Sequence, residues 1–131
     1  MEVVITEWAL QSYLDLIQVF TPEEYQKKLR PAAELLARYP NDPKFDNDKF
    51  WGPCKDKSGK IIPQGYKMKW HNIGHGRVQL RLLVVMAHRT AYLCNAYVKD
   101  NENMDFREMA KLKIKIHLIN EGKFISRGRL L

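Results

Sequence analysis

Two signals of membrane insertion or secretion are missing from this sequence. No run of about 18 apolar residues occurs, so no transmembrane helix is predicted. The residues that follow Met1 have neither the basic start nor the long apolar core of a signal peptide. With neither signal present, we expect a cytoplasmic protein that does not contact membrane.

Cysteine is scarce, and its spacing excludes the common cysteine motifs. The sequence has only 2 cysteines, Cys54 and Cys94, and they form no CxxC pair. In a reducing compartment both are predicted to be free thiols. His71 and His75 have the spacing of helical metal ligands, but a turn signal at residues 72–74 separates them and no Cys or carboxylate cluster completes a site. We therefore expect neither a metal nor a cofactor.

Other chemical motifs are absent too. The chain has no Gly-rich phosphate loop and no convincing Ser-His-Asp or paired-carboxylate arrangement. Its 131 residues, with 45% hydrophobic and 11% aromatic content, suit one folded domain spanning 1–131 rather than a disordered chain. No internal repeat or second domain is predicted.

Positive charge is concentrated in the second part of the chain. The net charge is +7 overall; residues 1–50 have six Lys/Arg against nine Asp/Glu, and residues 51–131 have sixteen against six. The first part is thus −3 and the second +10. Such asymmetry favours a polyanionic partner, although a charged face can also be merely solvated.

One face of three consecutive predicted strands collects basic and polar side chains, because strand side chains alternate between faces. Strand by strand they are Lys67, Lys69 and His71, then Arg77, Gln79 and Arg81, then Asn95, Tyr97 and Lys99, the last group sharing its face with Leu93. The other face is apolar, and Met68 and Trp70 are predicted to be structural there. Without Asp or Glu on these strands, the polar face suits an anionic ligand, with RNA the leading candidate.

Helical periodicity is predicted on either side of these strands. A β-branched strand at residues 3–6 precedes one amphipathic helix from Trp8 and a second helix that Thr21 caps and Pro31 kinks or breaks. Residues 40–66 have no regular period, apart from a turn at residues 56–59 that is a candidate hairpin tip. Residues 106–119 fit both strand and helix periods, and helix is favoured because Asn103 offers a cap. The predicted class is α+β with the order β-α-α-β-β-β-α, an antiparallel sheet with helices on its apolar face and an open basic face.

Four short motifs, taken in this order, resemble the RelE/ParE toxin superfamily and its HigB-like branch. They are GYKMK at residues 65–69, Arg77 with Arg81, AYVK at residues 96–99, and REMA at residues 107–110. The resemblance implies a RelE-like fold and the toxin of a type II toxin–antitoxin pair. Nuclease members cut messenger RNA on the ribosome without a metal: the 2′-hydroxyl attacks phosphorus and the 5′-oxygen leaves. The implied partners are a cognate antitoxin, messenger RNA and the ribosome.

Residue roles follow from the matched positions. Lys67 and Lys69 would hold the RNA backbone or help to remove a proton, and Arg77 and Arg81 would stabilise the phosphate. Tyr97 and Lys99 lie where the last strand of nuclease members has active-site groups. The catalytic candidates are Lys67, Lys69, His71, Arg81 and Tyr97, and the RNA-binding candidates are Arg77, Gln79, Asn95 and Lys99.

Several alternatives remain open from the residues alone. His71 can be a general acid or base or an ordinary surface histidine, and Tyr97 can be catalytic, can stack on a base or can serve packing. The whole protein can instead be a ParE-like inhibitor of DNA gyrase or an RNA-binding module without catalysis. Two observations would distinguish these functions: whether a neighbouring gene encodes an antitoxin, and whether RNA is cut or only bound.

Overall fold

A single mixed sheet organises the computed structural model, which describes residues 1–74 and 78–130. Its strands are β1 (Glu2–Thr6), β2 (Trp51–Lys55), β3 (Ile61–Ile73), β4 (Val78–Ala87), β5 (Thr90–Val98) and β6 (Ser126–Arg129). The spatial order is β2-β3-β4-β5-β1-β6. Only β1 and β5 pair in parallel among these neighbours. The α+β class and the antiparallel pairing of the three central strands are confirmed.

Helices occupy the two stretches where the sequence changes to a helical period. They are α1 (Glu7–Asp15), α2 (Pro22–Glu24), α3 (Arg30–Glu34) and α4 (Glu102–Asn120), with a π-helical turn at Tyr25–Leu29 and 3₁₀ turns at Leu35–Arg38 and Pro43–Asp46. Helix α4 resolves the ambiguous segment as helix, and Asn101 rather than Asn103 caps it, accepting from the Met104 amide at 2.8 Å. No helix in the described ranges is both long and apolar enough to cross a membrane.

The second helical stretch begins at the predicted cap, but it remains helical through Pro31 and changes there from a π-helical to an α-helical turn. The Thr21 hydroxyl accepts from the Glu24 amide at 3.1 Å, and the Thr21 amide donates to the Glu24 carboxylate at 3.3 Å, which completes a capping box. The π-helical turn ends directly before α3, where Pro31 lies in the first turn. Proline has no amide hydrogen to donate in an i→i−4 bond, which accounts for a wider helical turn next to it.

Both faces of the sheet are covered, which contradicts the predicted open basic face. On β4, Leu82 and Val84 pack with α1 and α3, whereas Leu83 and Val85 pack with Met109 and Leu112 of α4. Consecutive strand residues point to opposite faces, so α4 lies on the side expected to be open. The physical reason is its apolar stripe, which buries Met109, Leu112, Ile116 and Ile119.

Two strands and one bulge are absent from the sequence-based prediction. Strand β2 arises inside the irregular 40–66 segment and pairs with β3 across the predicted tip at residues 56–59, and β6 arises from the tail. Between β4 and β5 the register shifts: Leu83 lies opposite Asn95, but Val84 lies opposite Leu93. Cys94 is the extra residue of a β-bulge, and it reverses which sheet face the side chains before it in β5 point to. Leu93 therefore packs on the α1 side, not on the polar face as predicted.

Candidate functional site

Strand register places three of the predicted catalytic side chains in one row. Lys69 of β3 lies directly opposite Arg81 of β4, and Arg81 lies directly opposite Tyr97 of β5. The neighbouring row contains Lys67, Leu83 and Asn95. Residues that are directly opposite one another share a face, so this part of the predicted site is brought together on the α4 side of the sheet.

An acidic side chain from α4 enters this polar cluster. The Asp105 Oδ2 atom accepts from the Lys67 ammonium at 2.7 Å, and its Oδ1 atom accepts from the Tyr97 hydroxyl. Asp105 is 3% exposed and Tyr97 is 7% exposed. Burial acts to raise the pKa of Asp105, but the hydrogen bonds from Lys67 and Tyr97 outweigh it and hold that pKa below 3.8. Asp105 is therefore a carboxylate at neutral pH, held by both neighbours.

Tyr97 is a neutral hydrogen-bond donor in this arrangement. Burial, reinforced by the hydrogen bond to the Asp105 carboxylate, raises the pKa of the Tyr97 hydroxyl well above its ordinary value. Its proton is directed at Asp105, and the hydroxyl is covered by α4. In this conformation Tyr97 can position Asp105 and Arg81, but it cannot take a proton from a ligand in the solvent.

Asp105 was missed because sequence reasoning counted only strand residues on the polar face. A signal did exist: Asp105 precedes Met109, Leu112 and Ile116 at the spacing of one helical stripe. A carboxylate on an otherwise apolar stripe needs a buried partner, since an unpaired buried charge is costly. Lys67 of β3 and Tyr97 of β5 meet that need here.

Arg81 lies beneath the surface of this cluster. It is 5% exposed, and its guanidinium donates to the Gln79 side-chain oxygen at 3.1 Å and to the Leu80 carbonyl at 3.3 Å. No ion pair in the described ranges includes Arg81. Burial lowers the pKa of Arg81 below its ordinary value, but a guanidinium stays protonated at any physiological pH. The buried positive charge of Arg81 thus lies next to exposed Gln79, and no carboxylate among the described residues bonds to it directly.

Lys69 and His71 lie at the open edge of the cluster, against the loop that precedes β2. The Lys69 ammonium donates to the Asp48 carbonyl at 2.8 Å. Burial and the nearby positive charges of Arg81 and Lys67 lower the pKa of Lys69. The His71 Nε2 atom lies 2.6 Å from the Lys49 carbonyl oxygen. Because a carbonyl can only accept, this contact puts the ring hydrogen on Nε2 and leaves Nδ1 as an acceptor.

The remaining predicted residues surround this centre. Asn95 donates to the Glu108 carboxylate at 2.7 Å, and the Lys99 ammonium pairs with the Glu102 carboxylate at 2.9 Å. Gln79 is exposed and supports Arg81. Arg77 lies outside the described residues. The expectation of a face without acids is wrong, because α4 adds Glu102, Asp105 and Glu108 to it.

This arrangement offers electrostatic and proton-transfer chemistry. Arg81 and Lys67 provide positive charge, Lys69 is a lysine whose ammonium is easier to deprotonate, and His71 has an available ring nitrogen. Together these groups suit a phosphate whose negative charge increases during a reaction. Within residues 1–74 and 78–130, no group of three or more His, Cys, Asp or Glu residues is placed to hold a metal ion. No family model, curated protein or solved structure matches this chain.

Proposed function

We propose that this chain is the toxin of a type II toxin–antitoxin pair, a HigB-like member of the RelE/ParE superfamily that cuts messenger RNA on the ribosome without a metal. The observation that supports the proposal best is the cross-strand row of Lys69, Arg81 and Tyr97, with Lys67 in the next row. The observed order of elements includes the β-α-α-β-β-β-α order of the resemblance when the helical stretch from α2 to α3 is counted once, with β2 and β6 in addition.

The proposed reaction is a transesterification within the RNA, in which the phosphoryl group moves from the 5′-oxygen to the 2′-oxygen. The 2′-oxygen attacks phosphorus as its proton leaves, the bond from phosphorus to the 5′-oxygen breaks, and that oxygen takes up a proton. The products are a 2′,3′-cyclic phosphate and a free 5′-hydroxyl. In our assignment, the Nδ1 atom of His71 accepts the first proton, the Lys69 ammonium supplies the second, and Arg81 stabilises the charge of the phosphorane.

The three acids of α4 support an acidic protein as the inhibitor. Glu102 and Asp105 already pair with Lys99 and Lys67 in the free chain. An antitoxin that carries carboxylates could make equivalent pairs with Lys69 and the exposed side of the cluster. We propose such an acidic antitoxin as the cognate partner.

Primer extension on messenger RNA from cells that briefly express the chain tests the nuclease proposal. Arg81→Ala is expected to reduce cleavage by about 100-fold or more, the usual loss when a donor to a developing oxyanion is removed. Arg81→Lys retains the charge at this buried position, and Arg127→Ala removes an exposed arginine at the edge strand β6 as the matched control. Thermal unfolding of each purified variant verifies that Arg81 variants still fold.

The outcomes separate the nuclease from its alternatives. Cleavage that requires both Arg81 and active translation supports the proposal. Growth arrest with intact RNA would contradict it and favour inhibition of DNA gyrase. RNA binding without cleavage or arrest would favour a non-catalytic RNA-binding module, a second candidate that the burial of Arg81 and Tyr97 specifically favours.

A further inference from the structure

A cleft of about 750 Å³ lies beside the strand row, and its two walls belong to segments to which no role was assigned from the sequence. One wall is the helical stretch from Lys27 to Leu35, the other is the loop from Lys44 to Phe50, and the floor is the end of β3 from Lys69 to Ile73. The loop belongs to the irregular 40–66 segment. The cleft is therefore built from three regions that are distant in sequence.

The lining of this cleft is basic, with no carboxylate side chain in it. Its ionisable side chains are Lys27, Lys28, Lys44, Lys49, Lys69 and His71. In the described part of the chain, Lys44 and Lys49 make no ion pair, whereas Lys27 and Lys28 pair with Glu23 and Glu24 at 2.6 Å and 3.9 Å. Like charges in one concave surface repel each other and raise its potential, so such a surface attracts an anion.

The walls of the cleft are fixed to its floor by three consecutive residues of β3. The Lys69 ammonium donates to the Asp48 carbonyl at 2.8 Å, and the Trp70 indole donates to the Lys28 carbonyl at 3.2 Å. His71 bonds the Lys49 carbonyl at 2.6 Å. Because these bonds reach both walls, the lysines are held around a preformed groove rather than on independent loops.

Aromatic side chains accompany the lysines. Phe50 and Trp70 both line the cleft and are partly exposed. The Lys44 ammonium lies over the Phe50 ring, 5.6 Å from its centroid. Grooves that combine positive charge along a backbone path with aromatic faces for bases are typical of sites for single-stranded nucleic acid.

We propose that this cleft binds the sugar–phosphate backbone of single-stranded RNA and directs the strand to the row of Lys69, Arg81 and Tyr97. Lys69 lines the cleft and also lies opposite Arg81, so this one side chain belongs to both the cleft and the row. Delivery of the strand to the row rests on the proposed function, but RNA binding in the cleft can be measured separately from cleavage. It assigns Lys44 and Lys49 as phosphate contacts and gives the loop before β2 a role in substrate recognition.

Binding is measured by fluorescence anisotropy with a labelled 2′-O-methyl RNA of about ten nucleotides, which cannot be cut because it lacks the 2′-hydroxyl. The test variant is Lys44→Gln/Lys49→Gln, and the matched control is Lys60→Gln/Lys123→Gln, which removes two exposed lysines outside the cleft. For a single strand, log K falls with log[salt] with a slope of about −0.7 for each phosphate contact. Loss of two contacts therefore makes this slope shallower by about 1.4, which corresponds to as much as about 60-fold weaker binding at about 50 mM salt. The control is expected to bind nearly as the parent does.

Each result decides for or against the cleft. Weakened binding confined to the Lys44/Lys49 variant supports it, even if no RNA is cut in cells, in which case only the proposed nuclease function fails. Equal binding by the test and control variants overturns it, whether or not cleavage is observed. Polyglutamate that binds as tightly as the RNA, with the same dependence on Lys44 and Lys49, would also overturn it and favour an acidic protein as the occupant.

Discussion

Replacing Asp105 with asparagine tests whether the carboxylate between Lys67 and Tyr97 holds α4 on the sheet. The asparagine oxygen can still accept from the Tyr97 hydroxyl, so the main loss is the charge partner of Lys67 at 2.7 Å. Removing one member of a buried pair usually costs about 3–5 kcal/mol. The Lys67 side chain is 14% exposed and can move its ammonium toward water, so we expect the lower end, about 3 kcal/mol.

Urea unfolding followed by tryptophan fluorescence measures this change. With a slope of about 1.5 kcal/mol per molar, the midpoint is expected to fall by about 2 M. Glu102→Gln is the matched control, because it removes another α4 acid whose side chain is 68% exposed in its pair with Lys99. Such an exposed pair contributes about 1 kcal/mol or less to the free energy of unfolding.

A double variant separates the lost ion pair from other effects. Lys67→Met/Asp105→Asn leaves no unpaired charge, so its destabilisation is expected to be clearly smaller than the sum of the two single variants. The reasoning is refuted if Asp105→Asn is no less stable than Glu102→Gln, or if the effects of the two single changes simply add.

The pH dependence of the same variant has a definite sign. Because hydrogen bonds outweigh burial and hold the pKa of Asp105 below 3.8, its stabilising contribution is present above that value and is lost as pH falls through the lower pKa of the folded state. The difference in unfolding free energy between the parent and Asp105→Asn should be constant near neutral pH and shrink below pH 3.8. A difference that grows with acidification would contradict this account.

Two further predictions concern backbone and thiol chemistry. Gly74→Ala should lower the free energy of unfolding in urea by about 3 kcal/mol, because a Cβ at φ +58° would lie 2.7 Å from the Val19 carbonyl oxygen. Gly59→Ala, at φ +83°, places its Cβ where no atom lies within 4 Å and should cost about 1 kcal/mol. Equal costs for the two variants would contradict the role of the Val19 contact. Cys54 and Cys94 should resist Ellman's reagent in the folded protein at neutral pH and react in guanidinium, because burial raises the pKa of each thiol to about 12, and rapid reaction of the native protein would show that they are accessible.

Local patterns in the sequence predicted much of the chain because their causes are local. Side-chain alternation identified the three central strands, and the capping box at Thr21 was read from neighbouring residues. The free state of Cys54 and Cys94 is likewise confirmed. Strand alternation also placed Lys69, Arg81 and Tyr97 on one face, and the register then aligned them in a row.

The sequence by itself thus determined the three central strands and the helical stretches on either side of them, and it placed Lys69, Arg81 and Tyr97 on one strand face. Only the tertiary structure decided that α4 covers the polar face and contributes Asp105, that Cys94 forms a bulge, and that the loop before β2 encloses a basic cleft. An apolar helical stripe must be buried, but its periodicity does not specify which sheet face will bury it. That choice depends on contacts between distant segments, which no local pattern encodes.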